Sequence, residues 1–302
     1  MSWLTITISA YLFLAIVSLF DRYFLVGSIP NPKVYTFNVG ILWFFLCLFL
    51  IPFGINLSEI NILILGLGAG LVRIFAVLLL AESIVRSEIS RVIPAIGGFL
   101  PIFSFLLFLL YLPSQDILNL YQIIAFIFLV SGSVLISLKE ISFKFFSLRN
   151  LKYPILTSLL FAITYLLSKI LFLKTNFLNG GFLILLGGGL GAVSFLLIPK
   201  IRKLIFSQRV TPKISGLFLL GQIFGGLGAI LLYYAIFLAR PGQVPLINAL
   251  EGTRYVFLLS FVFLLAKKFP HLLKEEISKK ILFQKIIAIL LIGAGLTLLA
   301  FK

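Results

Sequence analysis

Residues 61–83 read NILILGLGAGLVRIFAVLLLAES, and this run decides what kind of fold the chain can adopt. A helix that crosses a membrane needs about 20 consecutive, mostly apolar residues. The run has that length, and a charged residue, Arg73, lies at its centre. We therefore interpret it as a transmembrane helix that carries a cation deep within it.

The composition of the whole chain agrees with this interpretation. Apolar residues make up 61% of the 302 residues and charged residues 11%, against roughly 45–50% and about 25% in an ordinary soluble domain. The mean hydropathy is +1.20. Because such a chain cannot cover its apolar surface with polar side chains, it must lie in lipid. The composition excludes a soluble enzyme, a nucleic-acid-binding protein and a disordered chain as descriptions of the whole.

The scarcity of reactive side chains limits the chemistry further. The single cysteine, Cys47, lies in an apolar run, and the single histidine, His271, lies in a basic loop. These counts exclude a disulfide framework, a thiolate metal cage and a histidine metal site. No nucleophile motif is present either. We therefore predict that the protein is not an enzyme and binds no cofactor or metal.

The same criterion of length and apolarity predicts ten membrane spans joined by short links. They cover residues 4–27, 34–54, 61–83, 90–112, 117–138, 153–173, 180–199, 214–237, 243–266 and 283–301. The predicted fold class is thus an all-α polytopic membrane protein with ten transmembrane helices.

An internal repeat divides these spans into two halves. A shift of 147 residues places 14–52 on 161–199 without a gap, and a shift of 163 places 123–139 on 286–302. We predict one five-helix repeat over residues 1–140 and a second over 150–302. Because each half has an odd number of spans, the two halves have opposite orientations. Inverted repeats of this kind are typical of secondary transporters, whose binding site lies near the midplane between the halves.

The positions of the cations predict the orientation and account for the net charge of +16. Of the 25 Lys and Arg residues, 19 lie on the side of the odd-to-even links, 4 lie on the other side, and Arg73 and Arg254 lie within spans. The side rich in cations is usually cytoplasmic. We therefore predict a multi-pass protein of the cell membrane with both termini outside the cytoplasm.

Ionisable residues within a span usually face the interior of the bundle and have a partner. Arg73 in span three, with Glu251 and Arg254 in span nine, are the deepest such residues by sequence. Glu251 and Arg254 are three residues apart, so they can meet on one helix face. They form either a structural ion pair, in which Arg73 could also take part, or a binding site in which an arginine meets a substrate carboxylate and Glu251 binds an amine or a proton.

Two sets of residues follow as candidates. The substrate-binding set shares deep polar side chains at helical spacing: Arg73, Gln222, Tyr233, Asn248, Glu251, Arg254 and Tyr255. The pathway or gate set lies on matched faces of spans one and six, as inversion requires: Tyr11, Ser18, Arg22, Ser158, Tyr165 and Lys169. The alternative for the two gate cations is that they extend to the lipid head groups.

The loose motifs of spans four and nine indicate a family. Residues 91–96 read RVIPAI and are followed by FLPIF at 99–103, and the second half has VPLI at 244–247 followed by LEG at 250–252. With its two inverted five-span halves, the chain resembles the EamA-like members of the drug/metabolite transporter (DMT) superfamily over nearly its whole length. Gly252 stands where members often have proline. The resemblance implies a central cavity lined by spans one, three, four, six, eight and nine.

The sequence therefore predicts a secondary transporter, in the direction of export, for a small organic metabolite such as an amino acid. Its partners would be a zwitterionic or anionic small molecule and membrane lipids, with proton coupling as an option and no nucleic acid. The protein would act as a monomer or homodimer. The alternatives are a flippase for a lipid-linked head group and a membrane scaffold or receptor that transports nothing.

Overall fold

The computed structural model describes residues 2–56, 59–86, 89–111, 118–137, 148–208, 211–266 and 279–300. Within these ranges the backbone is almost entirely helical and contains no strand. The helices, in chain order, are α1 (Ser2–Tyr23), α2 (Pro32–Leu50), α3 (Ile60–Arg86), α4 (Ile89–Tyr111), α5 (Leu120–Ser137), α6 (Leu148–Lys174), α7 (Phe177–Val193), α8 (Pro199–Ser207), α9 (Pro212–Leu238), α10 (Val244–Ala249), α11 (Glu251–Ala266) and α12 (Lys279–Ala300).

Among the described residues, seven helical segments are long and apolar enough to cross a membrane. They are Trp3–Ser28, Pro32–Phe53, Ile60–Arg86, Lys152–Lys174, Phe177–Leu197, Pro212–Leu238 and Phe283–Ala300. The shorter helices Ala95–Tyr111 and Leu120–Leu135 are also apolar. Large apolar side chains such as Phe49 and Leu197 are exposed on the outside of the bundle, as expected where lipid replaces water. The prediction of an all-α polytopic membrane protein is confirmed.

The helices of the N-terminal half pack mainly on helices of the C-terminal half. The most extensive contacts join α1 to α9, α3 to α6, α5 to α12, α3 to α7, α4 to α6 and α2 to α7. The pair α5 and α12 lies beside α4 and α11, away from the centre of the bundle.

Glycines bring α3 and α7 into direct backbone contact. A Cβ added to Gly70 would collide with the carbonyl oxygen of Ile184, and one added to Gly187 would collide with the backbone of Leu67. Small residues allow membrane helices to approach this closely, which increases van der Waals contact between them. Gly66 and Gly70 of α3 therefore serve helix packing, and so does the Gly187-Gly188-Gly189 run of α7.

The ninth predicted span is interrupted. Residues 243–266 were expected as one helix, whereas α10 ends at Ala249 and α11 begins at Glu251. Leu250 forms the join, and its carbonyl oxygen accepts hydrogen bonds from the N–H and the hydroxyl of Thr253. The break places Glu251 in the first turn of α11, where the positive end of the helix dipole stabilises a carboxylate.

Candidate functional site

A cavity of about 220 Å³ lies at the centre of the bundle. Its walls come from the helices of spans one, three, four, six, eight and nine, and also from α2 and α7, which line it with residues such as Trp43 and Ile184. Helices α5 and α12 contribute no lining residue. Drug-sized pockets occupy roughly 300–1,000 Å³, so this cavity suits a smaller molecule.

Most of the cavity wall is apolar, and four charged side chains line it: Asp21, Arg73, Glu251 and Arg254. Two are acidic and two are basic, so the wall as a whole is close to electrically balanced. The four differ in how many of their hydrogen-bond donors and acceptors already have a partner. This difference determines which of them can bind a ligand.

Arg73 is held by aromatic rings alone. Its guanidinium carbon lies 4.2 Å from the ring centroid of Trp43 on α2 and 4.7 Å from that of Tyr233 on α9. Within the described residues it makes no hydrogen bond, and no carboxylate lies within 4.0 Å of it. Stacking on aromatic faces fixes the plane of the guanidinium while leaving its N–H donors free. Arg73 is therefore an oriented cation without a counter-ion.

Arg254, in contrast, has polar partners on two helices. Its Nη1 donates to Oε1 of Glu251 at 3.2 Å, and its Nε and Nη2 donate to Oγ of Ser18 on α1 at 3.1 and 2.7 Å. The other carboxylate oxygen of Glu251, Oε2, is buried and has no hydrogen-bond partner. Glu251 is 5% exposed and lines the cavity. It thus has one acceptor still available.

Asp21 forms a second acidic position, which the sequence reading did not select. Tyr35 on α2 donates its hydroxyl hydrogen to Oδ1 of Asp21, and Nε2 of Gln222 on α9 donates to the Tyr35 hydroxyl at 3.4 Å. No described Lys or Arg lies within 4.0 Å of this carboxylate. A signal was available: Asp21 follows Tyr11, Leu14 and Val17 at helical spacing, and all four line the cavity.

The predicted substrate-binding set is only partly brought together. Arg73, Gln222, Tyr233, Glu251 and Arg254 line the cavity, whereas Asn248 and Tyr255 do not. Asn248 lies in α10 and donates to Ser104 of α4 at 2.8 Å, and the buried Tyr255 packs against Gly97 of α4. Asn248 and Tyr255 thus both contact α4.

The face predicted on span eight lines the cavity in full. Gln222, Gly225, Gly226, Ala229 and Tyr233 all contribute to its wall. A Cβ added to Gly226 would meet no atom within 4 Å. Gly226 therefore provides space, whereas Gly225 packs against Val17 of α1.

The predicted gate residues divide into three groups. Tyr11 and Tyr165 line the cavity, and the hydroxyl of Tyr11 donates to the carbonyl of Ile247 at 2.9 Å. Ser18 binds Arg254, as described above, and Ser158 donates to the carbonyl of Pro154 within its own helix at 2.8 Å. Arg22 is exposed on the outer surface.

Lys169 is buried and caps the end of α9. Its Nζ donates to the carbonyl oxygens of Ile236, Phe237 and Ala239 at 3.1, 3.2 and 2.5 Å. These carbonyls have no amide partner in the last turn of a helix, so the lysine satisfies them and ties α6 to α9. An aromatic cluster beside it, including Phe172, Phe177 and Phe237, packs over this end of the bundle.

Comparisons with known proteins identify the fold but no function. No family model and no curated protein matches the chain. Among solved structures, the chain is similar to one described only as the crystal structure of a protein, with 15% sequence identity and a TM-score of 0.64 over 97% of this chain and 95% of the other. At this identity the likeness shows the fold alone, and it extends over nearly all of both chains. The fold and the central cavity define the class of a multi-pass membrane protein.

Proposed function

We propose that the protein is a secondary transporter that exports a small zwitterionic metabolite, such as an amino acid, by alternating access. The observation that carries the proposal is a pair of charged groups in the cavity that the described residues leave unsatisfied, Arg73 without a counter-ion and Glu251 with a free Oε2. A charge within a membrane is costly unless it is paired. A ligand that supplies the missing partners would offset this cost, and its binding would be strengthened accordingly.

The chemistry of the two groups favours an α-amino acid. A guanidinium binds a carboxylate through two parallel hydrogen bonds, and the free Glu251 Oε2 would accept from an ammonium. Both groups line the same cavity, and both act electrostatically on the hydroxyl of Tyr165, which lines it too. The apolar remainder of the wall would surround the side chain of the ligand. No step in this scheme requires catalysis or a cofactor, so the proposal includes neither.

We extend the proposal to architecture and family. Ten spans in two inverted five-helix repeats, over residues 1–140 and 150–302, would make α1 equivalent to α6 and α3 equivalent to α9. The packing of α1 on α9 and of α3 on α6 then forms one symmetric pair of contacts. This pairing, with the motifs of spans four and nine, supports assignment to the EamA-like group of the DMT superfamily.

The first experiment is a counterflow screen. The purified full chain is reconstituted into proteoliposomes preloaded with each of the twenty standard α-amino acids, and uptake of the same labelled compound is measured without an ion gradient. We expect accumulation of at least one of them, and its loss in Glu251→Gln, which keeps size and hydrogen-bonding capacity. Glu59→Gln, at an exposed position, is the control. If no amino acid exchanges, or if Glu251→Gln exchanges normally, the proposed substrate site is wrong.

The second experiment concerns location and orientation, where we propose the cell membrane with both termini outside the cytoplasm. A reporter that is active only outside the cytoplasm is fused after Lys302 or inserted at Ser207. We expect activity after Lys302 and silence at Ser207, because 19 of the 25 Lys and Arg residues lie on the side of Ser207. The reverse pattern would overturn the orientation.

One observation favours a second candidate, a flippase for a lipid-linked head group. Leu46 of α2 and Ile230 of α9 both line the cavity, and both are exposed, at 38% and 48%. The cavity therefore reaches the lipid-facing side of the bundle between α2 and α9, which a lipid tail would need. Transfer of a fluorescent lipid between leaflets in the same proteoliposomes, in a chain that fails the amino-acid screen, would select this candidate.

A further inference from the structure

The acidic group Asp21 and the cation Arg73 lie at different levels of the same cavity. Tyr35, which contacts Asp21, and Trp43, which contacts Arg73, are eight residues apart on α2. At 1.5 Å per residue they are separated by about 12 Å along the helix axis. On α9 the corresponding contacts are eleven residues apart, at Gln222 and Tyr233, or about 16 Å.

This separation exceeds the reach of a compact zwitterion. The amino nitrogen and the carboxyl carbon of an α-amino acid are joined through one carbon by two bonds of about 1.5 Å each. A ligand whose carboxylate binds Arg73 therefore cannot place its ammonium on Asp21. If the substrate binds at Arg73 and Glu251, the Asp21 site is left for something else.

The surroundings of Asp21 favour the binding of a proton over that of a metal ion. A metal ion such as Ca²⁺ takes about six to eight oxygen ligands. Asp21 shares its position with one phenol and one amide. No cluster of three or more acidic, His or Cys side chains occurs among the described residues. A proton needs only one carboxylate oxygen. The free Oδ2 can take it while Oδ1 keeps the hydrogen bond from Tyr35.

The other charged groups near Asp21 are already engaged or turned away. Arg254 of α11 is close enough to attract Asp21 electrostatically, but its N–H groups are bound to Glu251 and Ser18. Arg22 on the same helix is exposed. On α3, Glu82 and Arg86 pair with each other at 2.9 Å. No cation therefore neutralises Asp21 within the described residues.

We propose that Asp21, with Tyr35 and Gln222, is the proton-binding site of an antiporter, separate from the substrate-binding groups and linked to them through Arg254. The transport cycle itself rests on the proposed function, whereas the proton site stands on the geometry above. Binding moves one proton from water in the cavity to a carboxylate oxygen of Asp21, which changes from charged to neutral.

The link follows from the position of Arg254 between two carboxylates. When Asp21 is charged, it attracts Arg254 and weakens the hold of Arg254 on Glu251, so that Glu251 is available to a substrate ammonium. When Asp21 is protonated, that attraction is lost and Arg254 binds Glu251 more tightly. Ser18, one helical turn from Asp21, holds the guanidinium in place for this exchange. Protonation therefore opposes substrate binding, which is the requirement for antiport.

The proton site is tested first without any substrate. Infrared difference spectra of the full chain in detergent are recorded between pH 5 and pH 9. In the wild-type protein we expect the C=O band of a protonated carboxyl group. The band should be absent in Asp21→Asn and unchanged in Glu59→Gln. It should shift to higher frequency in Tyr35→Phe, which lacks the hydrogen-bond donor. An unchanged band in Asp21→Asn would overturn the proposal. Circular dichroism of each variant confirms that it is folded, and Tyr35→Phe decides the question if Asp21→Asn does not fold.

The coupling is tested with the amino acid that exchanges best in the counterflow screen. We expect the wild-type affinity to fall as the pH is lowered. Asp21→Asn resembles the protonated state, so it should still show counterflow, but with the low-pH affinity of the wild-type protein at every pH, and it should lose accumulation driven by a pH gradient. Gradient-driven accumulation in Asp21→Asn, or its absence in the wild-type protein, would overturn the proton site while the proposed function stands. Loss of counterflow as well would mean that Asp21 binds substrate. Failure of counterflow in the wild-type protein would instead refute the proposed function.

Discussion

Two arginines lie in the membrane-embedded cavity, and their surroundings are opposite. Arg254 donates to a carboxylate on its own helix and to a serine on another, whereas Arg73 touches only the faces of two aromatic rings. In the sequence each is a single arginine within an apolar run, and Arg254 alone of the two has an acidic residue within four positions of it. The difference teaches that a buried cation stabilises the fold when its donors are satisfied, and is available to a ligand when they are not.

The strongest test of this comparison removes the satisfied arginine. Arg254→Gln leaves Glu251 buried without a cation, and breaking a buried pair costs roughly 3–5 kcal/mol. We expect SDS-induced unfolding at pH 8 to show a loss of that size. Adding Glu251→Gln should restore most of the stability without restoring transport. If the single variant is as stable as the wild-type protein, Arg254 is not a structural cation.

A second variant removes the partner of Arg254 on α1. Ser18→Ala deletes the acceptor of two hydrogen bonds from the guanidinium, and hydrogen bonds to charged groups contribute about 1.5–3 kcal/mol. We expect a loss of unfolding free energy in that range. Ser260→Ala, at an exposed serine that binds its own helix, is the matched control and should change stability by less than about 0.5 kcal/mol.

The unsatisfied arginine should give the reverse pattern. Among the described residues, Arg73→Gln breaks no ion pair and no hydrogen bond but removes two cation–π contacts. We therefore expect the unfolding free energy to fall by about 1–2 kcal/mol, less than in Arg254→Gln. Counterflow should fall at least about tenfold, which corresponds to 1.4 kcal/mol of binding. Arg202→Gln, on the exposed surface of α8, should leave counterflow unchanged. A stable and fully active Arg73→Gln protein would remove Arg73 from the site.

The smallest effect concerns the ring that orients Arg73. Trp43→Phe keeps an aromatic face over the guanidinium but weakens the cation–π attraction, by an amount we set at about 0.5 kcal/mol. We expect a two- to threefold rise in the concentration that half-saturates counterflow. Trp3→Phe is the control, since Trp3 lies outside the cavity. An unchanged half-saturation would mean that Trp43 only fills space.

The sequence was sufficient for the fold class and for part of the candidate site. Apolar runs of membrane length locate the helices, because a helix in lipid must be apolar along its whole length. The three-residue spacing of Glu251 and Arg254 predicts their contact, and the face of Gln222 to Tyr233 on α9 predicts the wall that they line. Each of these depends on periodicity within one helix.

The features that the sequence left open depend on contacts between helices. Whether Asp21 or Arg22 faces the cavity depends on how α1 is rotated about its axis. A helix that is apolar on every side has no polar face from which this rotation can be predicted. Likewise the pairing of Arg73 with Trp43 and Tyr233 joins three helices. Asn248 donates to Ser104 of α4 and does not line the cavity, and the spacing within one helix could not show this partner.

The glycine contact between α3 and α7 has a consequence for how the bundle can move. Two helices whose backbones touch at Gly70 and Gly187 cannot slide or separate by a small step without losing many contacts at once. We expect them to travel as one rigid body, which carries Arg73 with it. The opposite wall belongs to a different pair of helices, since α9 packs mainly on α1. Because α2 packs on α7, a movement of the α1–α9 pair relative to the α3–α7 pair would change the width of the aperture between α2 and α9.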